Sequence, residues 1–64
     1  MKVGFIGLGN VGAKLAGSVL RNGFDLTVRD LDSSKTSEFI QAGASLAQSP
    51  QEVAGSCDVV ITCL

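Results

Sequence analysis

The chain opens with a short apolar run, Val3-Gly4-Phe5-Ile6, that passes without interruption into Gly7-x-Gly9-x-x-Gly12. Each glycine grants a separate steric permission. Gly7 lets the chain leave a strand in a tight turn, Gly9 lets the backbone approach a pyrophosphate with no Cβ between them, and Gly12 lets the next helix pack closely on the strand it has just left. An acidic residue, Asp30, follows eighteen positions after Gly12. Strand, glycines and acid together describe a dinucleotide-binding fingerprint, with the anion at the N-terminus of a helix opening near Val11. Unpaired N–H groups and the positive end of the helix dipole both favour negative charge there.

A bare glycine spacing is a weak signal, and its surroundings decide what it means. Lys2 to Ile6 is strand-like. Val11 to Arg21 reads as a helix, with apolar Val11, Leu15 and Val19 four apart, small Gly12, Ala16 and Gly17 between them, and Asn22-Gly23 as its stop. A second strand, Phe24 to Arg29, ends at Asp30. Asp32-Ser33-Ser34 offers capping oxygens for a second helix over Ser33 to Gln41, anchored by Phe39 and Ile40. Ser45-Leu46-Ala47 makes a brief third strand. Ser49-Pro50-Gln51-Glu52 then forms a capping box with Pro at the first helical position, which places a short helix over Pro50 to Gly55. Asp58 introduces a fourth strand through Leu64, apolar enough to be buried on both faces of a parallel sheet.

The expected fold is therefore α/β, a Rossmann-type doubly wound parallel sheet. Its elements run β-α-β-α-β-α-β with spatial strand order 3-2-1-4, one strand past half of the complete arrangement. Chains near 60 residues bury only about 60% of their unfolded surface, and an open apolar edge invites aggregation. The expectation is accordingly that residues 1–64 are the N-terminal part of an NAD(P)-binding domain, inactive and unstable alone, with the rest of the sheet and a further domain to follow.

Composition removes several functional classes. Five basic and six acidic residues give a net charge of −1, with no basic cluster to neutralise a nucleic-acid backbone. No apolar run approaches the ~20 residues of a membrane span, and Met1-Lys2 runs straight into the first strand with no signal peptide. Expected partners are thus a small-molecule substrate, without nucleic acid or membrane, in the cytoplasm or in an organelle after loss of a targeting segment. Cys57 and Cys63 are six apart and histidine is absent, a pattern that fits neither a redox pair nor a zinc site. Buried free thiols are the plain reading.

Asp30 bears on cofactor choice. A carboxylate here accepts hydrogen bonds from the adenosine ribose of NAD, whereas NADP places a phosphate in the same space. Two unit charges ~4 Å apart repel by roughly 4 kcal/mol at an effective dielectric of ~20. An arginine directly after the strand would relieve that repulsion, but position 31 is Leu. Arg29 and Lys35 are the nearby cations. Strand alternation aims Arg29 away from the face of Asp30, and Lys35 sits one turn into the second helix. NAD is the expected cofactor, with NADP second.

The stretch Val3-Gly-Phe-Ile-Gly-Leu-Gly-Asn-Val-Gly12, the helix ending Leu-Arg-Asn-Gly-Phe24, and Cys57-Asp-Val-Val-Ile-Thr-Cys-Leu64 resemble the β-hydroxyacid dehydrogenases. These are the 3-hydroxyisobutyrate dehydrogenase and tartronate semialdehyde reductase family, related to 6-phosphogluconate dehydrogenase. The resemblance covers essentially the whole chain. It implies reversible oxidation of a small β-hydroxy acid with NAD or NADP, an all-helical C-terminal domain and a homo-oligomer. It also implies pyrophosphate contacts from Leu8, Gly9, Asn10 and Val11, ribose contacts from Asp30 and Leu31, and cofactor contacts from Cys63 and Leu64. Many members have methionine at the place of Val11, and NADP-using members often carry Asn-Arg at the place of Asp30-Leu31. The family's substrate-anchoring serine-glycine motif and catalytic lysine have no counterpart within residues 1–64, so no residue is assigned a catalytic or metal-binding role. Lys14 and Lys35 lie on the first and second helices, where solvated lysines are the default.

Two other readings stand beside this one. Pyrroline-5-carboxylate reductase, with a similar Gly-x-Gly-Asn start, and ketopantoate reductase are enzymatic alternatives. A non-catalytic module that senses NAD(P) or assembles with partners is the alternative from another class, since a fold does not fix a function.

Overall fold

The computed structural model describes residues 1–62. The elements are β1 (Lys2–Ile6), α1 (Asn10–Arg21), β2 (Asp25–Arg29), α2 (Ser33–Gln41), β3 (Ser45–Leu46), α3 (Pro50–Ser56) and β4 (Val59–Thr62). The four strands form one sheet in the order β3-β2-β1-β4 with every pairing parallel, as expected from the sequence. β1 is interior, bonded to β2 on one side and to β4 on the other. At the opposite end from the glycines, Asp58 ties the β1–β4 pair together. Its N–H donates to the Lys2 carbonyl at 2.8 Å, and its carboxylate accepts from the Lys2 N–H at 2.8 Å.

The sheet buries its faces by strand alternation. Val3 and Phe5 stand beside Leu26 and Val28 in the ladder, and these four form one buried cluster with Leu8, Ala16 and Ala44. Val19, Leu20, Phe39 and Ile61 pack against its margin. Gly4 points the other way, toward α3. A Cβ on Gly4 would lie 2.4 Å from Val53 Cγ1 and 2.9 Å from Cys57 Sγ. Only a glycine lets α3 approach β1 this closely, and the approach buries Val53 completely.

Several expectations need correction. Of the three apolar residues spaced four apart on α1, Val11 and Leu15 are exposed. The helix turns Gly12 and Ala16 inward, with Val19 and Leu20 at the edge of the core. Small side chains bring the helix axis near the sheet, so the closest-packed face is the one with least bulk. On α2, Phe39 reaches the core as expected but Ile40 is exposed, and the buried residue is Thr36, whose hydroxyl donates to the Ser33 carbonyl. β3 ends at Leu46, although Ala47 adds one more bond to the β2 edge through its N–H and the Val28 carbonyl, 3.0 Å. β4 is the open apolar edge the sequence leads one to expect: Val59 and Val60 are exposed and Ile61 joins the core margin. Among the described residues β4 pairs only with β1.

The helix termini follow the sequence closely. Asp32 caps α2 by accepting from Ser34 N–H, and Ser49 caps α3 by accepting from Glu52 N–H at 3.1 Å. Glu52 returns its bond to the Gln48 N–H at 2.9 Å, one residue before the partner a standard capping box uses. Asn22 and Gly23 end α1, donating to the Ser18 and Leu20 carbonyls at 3.1 Å each.

The contact at Gly4 yields a stability prediction. Gly4→Ala forces Val53 and Cys57 aside in a packed layer and should cost about 1–3 kcal/mol, as overpacking typically does. Denaturant unfolding of the variant against the parent protein measures this, and adding Val53→Ala should recover part of the loss.

Candidate functional site

The carboxyl ends of β1 and β2 open into a cleft of ≈ 480 Å³, walled by the turn after β1, the loop after β2 and Pro50 at the start of α3. This is the edge at which α/β sheets bind ligands, next to the strand where the order reverses.

The turn is built in three steps. Gly7 takes φ 92°, a left-handed conformation that a side chain strongly disfavours, while its N–H still donates to the Arg29 carbonyl at 2.8 Å. Leu8 drops its side chain into the core, 1% exposed. Gly9 is the N-cap of α1 with φ −65° and ψ −177°, and its carbonyl accepts the first helical bond from Ala13 at 2.7 Å. No side chain caps this helix and its first turn holds no acidic residue. The N–H groups of Asn10, Val11 and Gly12 therefore have no partner within the helix, and the dipole adds positive potential at the same place. A Cβ on Gly9 would meet nothing within 4 Å.

Asp30 closes the other side. One carboxylate oxygen accepts from the Leu8 N–H and the other from the Asp32 N–H at 2.8 Å. The Asp32 and Leu8 amides, in that order, hold its carboxyl below the usual range; partial burial opposes them and the Lys35 charge assists. The Asp32 carboxyl is likewise lowered, chiefly by the Ser34 hydroxyl and amide. Leu31 projects at the rim, 95% exposed. Arg29 and Lys35 both contribute to the cleft wall, so both cations named from the sequence lie at this edge.

Gly7, Leu8, Gly9, Asp30 and Leu31 thus line one cleft, with Asn10, Val11 and Gly12 on the first turn that follows. Cys63 and Leu64 lie outside the described residues. The sequence did not reveal that the Leu8 N–H is engaged by Asp30, nor that Pro50 forms part of the wall. The only hint was the Asp-Leu-Asp spacing, in which one acid can cap the amide of the other. Among the described residues no group of His, Cys, Asp and Glu could hold a metal ion, and no helix is long and apolar enough to cross a membrane.

Residues 2–64 match the NAD binding domain of 6-phosphogluconate dehydrogenase, and the chain belongs to that family. It is 42% identical over 64 residues to glyoxylate/succinic semialdehyde reductase 1 of Arabidopsis thaliana, covering all of this chain and 22% of that protein. It is 40% identical over 63 residues to the cytokine-like nuclear factor N-PAC of Pongo abelii, covering 98% of this chain and 11% of that one. Among solved structures, an imine reductase from Pseudomonas sp. superposes with a TM-score of 0.93 at 32% identity, over 98% of this chain and 22% of its own. The chain therefore spans about a fifth or less of these proteins.

The depressed Asp30 and Asp32 carboxyls contribute to the acid limb of stability. Their folded values lie below the unfolded ones, so their contribution is present above the unfolded range and is lost as pH falls through the folded range. Melting temperature should fall between about pH 5 and about pH 2. Thermal scans across that window should show a shallower decline for Asp30→Asn than for the parent protein.

Proposed function

We propose that this chain seats the adenosine and pyrophosphate part of a nicotinamide dinucleotide, NAD in preference to NADP. The protein to which it belongs would transfer hydride between the nicotinamide and a small β-hydroxy acid. The observation that carries the reading is Gly9. Its backbone angles suit any residue and a Cβ there would touch no protein atom, so neither conformation nor packing asks for glycine. It stands at the mouth of an uncapped helix, where a missing side chain leaves room for an anion.

In this reading Gly7 sets the turn, Gly9 admits the pyrophosphate, and the Asn10, Val11 and Gly12 amides donate to it. Leu8 contributes through its loop, with its own N–H held by Asp30. The lone pairs that Asp30 has to spare accept the ribose hydroxyls and Leu31 flanks the adenosine end. Cys63 and Leu64 complete the set of proposed cofactor contacts. The Asp30 charge disfavours a ribose phosphate, and Lys35 offsets only part of that repulsion because its charge already acts on Asp30. The cofactor carries the redox chemistry and this chain positions it. A helical second domain, a homo-oligomeric assembly and a cytoplasmic location complete the proposal.

The relatives widen the range of substrates to test. One is named as a semialdehyde reductase and one structural neighbour as an imine reductase, so carbonyl and imine carbons both belong in a screen. The nuclear-factor relative supports a second reading, a dinucleotide-binding module within a protein not named as an enzyme. Turnover of any β-hydroxy acid by the full protein with NAD favours the first reading. Cofactor binding without turnover across the panel favours the second.

Gly9→Ser tests the site itself. Serine is a good N-cap in extended backbone, so its hydroxyl should cap α1 and hold or raise the melting temperature while filling the anion's place. Titration calorimetry should show NADH affinity at least about tenfold weaker, comparable to the loss of one charge-assisted hydrogen bond. The parent protein should bind NADH more tightly than NADPH, and equal or reversed affinities would overturn the cofactor assignment.

A further inference from the structure

The strongest unexplained feature is that both oxygens of Asp30 are occupied by backbone donors from two different loops. We infer that Asp30 is a positioning residue for the glycine turn, holding the pyrophosphate end of the cleft in shape as well as meeting the ribose. This deepens the proposed function and rests on it.

The geometry is specific. Gly7 and Leu8 are consecutive and both are tied to the β2 end, Gly7 through the Arg29 carbonyl and Leu8 through the Asp30 carboxylate. The next residue, Gly9, opens α1. The direction of the three first-turn amides is therefore fixed by two adjacent bonds to β2, one from its main chain and one from a side chain. The Leu8 bond spans twenty-two positions and is partly buried. The second Asp30 oxygen holds the Asp32 amide, and Asp32 in turn accepts from Ser34 N–H at 3.0 Å and Ser34 Oγ at 2.6 Å. A continuous series of bonds runs from the glycine turn through Asp30 and Asp32 to the first turn of α2. A carboxylate accepts through about four lone-pair sites, so two backbone bonds leave capacity for ribose hydroxyls. An asparagine cannot replace it, since its single carbonyl oxygen serves one amide and its NH₂ would face the other.

A cofactor analogue that lacks both adenosine-ribose hydroxyls separates the two roles. If Asp30 served only the ribose, Asp30→Asn would leave binding of this NADH analogue unchanged, or tighten it by removing a negative charge near the phosphates. Positioning of the turn predicts the opposite sign, a loss of about tenfold, because a backbone donor loses its charged acceptor. Unchanged or tighter binding overturns the inference.

A second measurement needs neither the variant nor the cofactor. In the parent protein the Leu8 amide resonance should shift with the ionisation of Asp30, at a midpoint below the ordinary carboxylate range. Asp32, Lys35 and Arg29 are the charged groups around Asp30, and Asp32→Asn and Lys35→Gln should move that midpoint without abolishing the shift. A Leu8 amide that shows no titration as pH falls through and below the ordinary carboxylate range overturns the inference even where the variant fails to fold. If the parent protein binds no nicotinamide dinucleotide while the Leu8 amide titrates, the proposed function fails and the positioning of the turn stands.

Discussion

At Gly7 the chain must do two incompatible things, finish a strand and start a helix above it, and the left-handed backbone at φ 92° reconciles them. The N–H of Gly7 remains in the sheet, bonded to Arg29, while the next residues climb into α1. Much else depends on this reversal. It drops Leu8 into the core, sets Gly9 as the N-cap, and brings Gly12 and Ala16 down onto the sheet beside Phe5 and Val28. It also leaves three amides at the sheet's carboxyl edge with no partner inside the helix. The same backbone event thus builds the core and the candidate anion site.

Asp30 ties that turn to the rest of the fold. Its carboxylate accepts from the Asp32 amide at the cap of α2 and from the Leu8 amide just before α1, and these two bonds depress its pKa. The site is therefore polar at both ends for different reasons. At the turn, backbone amides supply positive potential. At the β2 end, a fixed negative charge supplies acceptors and repels a further anion. Such a division suits a ligand with an anionic middle and a hydroxylated end.

Packing on the two faces of β1 follows different rules. On the α1 side, small helical residues meet large strand residues. On the α3 side, a strand glycine receives Val53 and Cys57. The chain belongs to the NAD-binding family, and its fold recurs in a protein named as an imine reductase. What these chains share is the seat for the cofactor, and chemistry on different substrates is built around it.

Much of this was legible in the sequence, because the signals concerned are local. The Gly7 turn, the Asp32 and Ser49 caps, the Asn22-Gly23 stop and the parallel strand order all follow from backbone preferences and from the handedness of β-α-β connections. Spacing alone likewise brought Gly7, Gly9 and Asp30 to one edge. The sequence could not decide which apolar residues are buried. Gly12 packs on the sheet as its place in the fingerprint implies, with Ala16 one turn on, while apolar Val11 and Leu15 stay exposed because close approach to the sheet rewards small residues. Ile40 looks like a helix anchor but is exposed, since burial depends on neighbouring elements and not on a residue's own character. Only the tertiary structure paired Asp30 with Leu8. A carboxylate takes whichever donors the fold brings within reach, and the Leu8 amide lies twenty-two residues away in the chain.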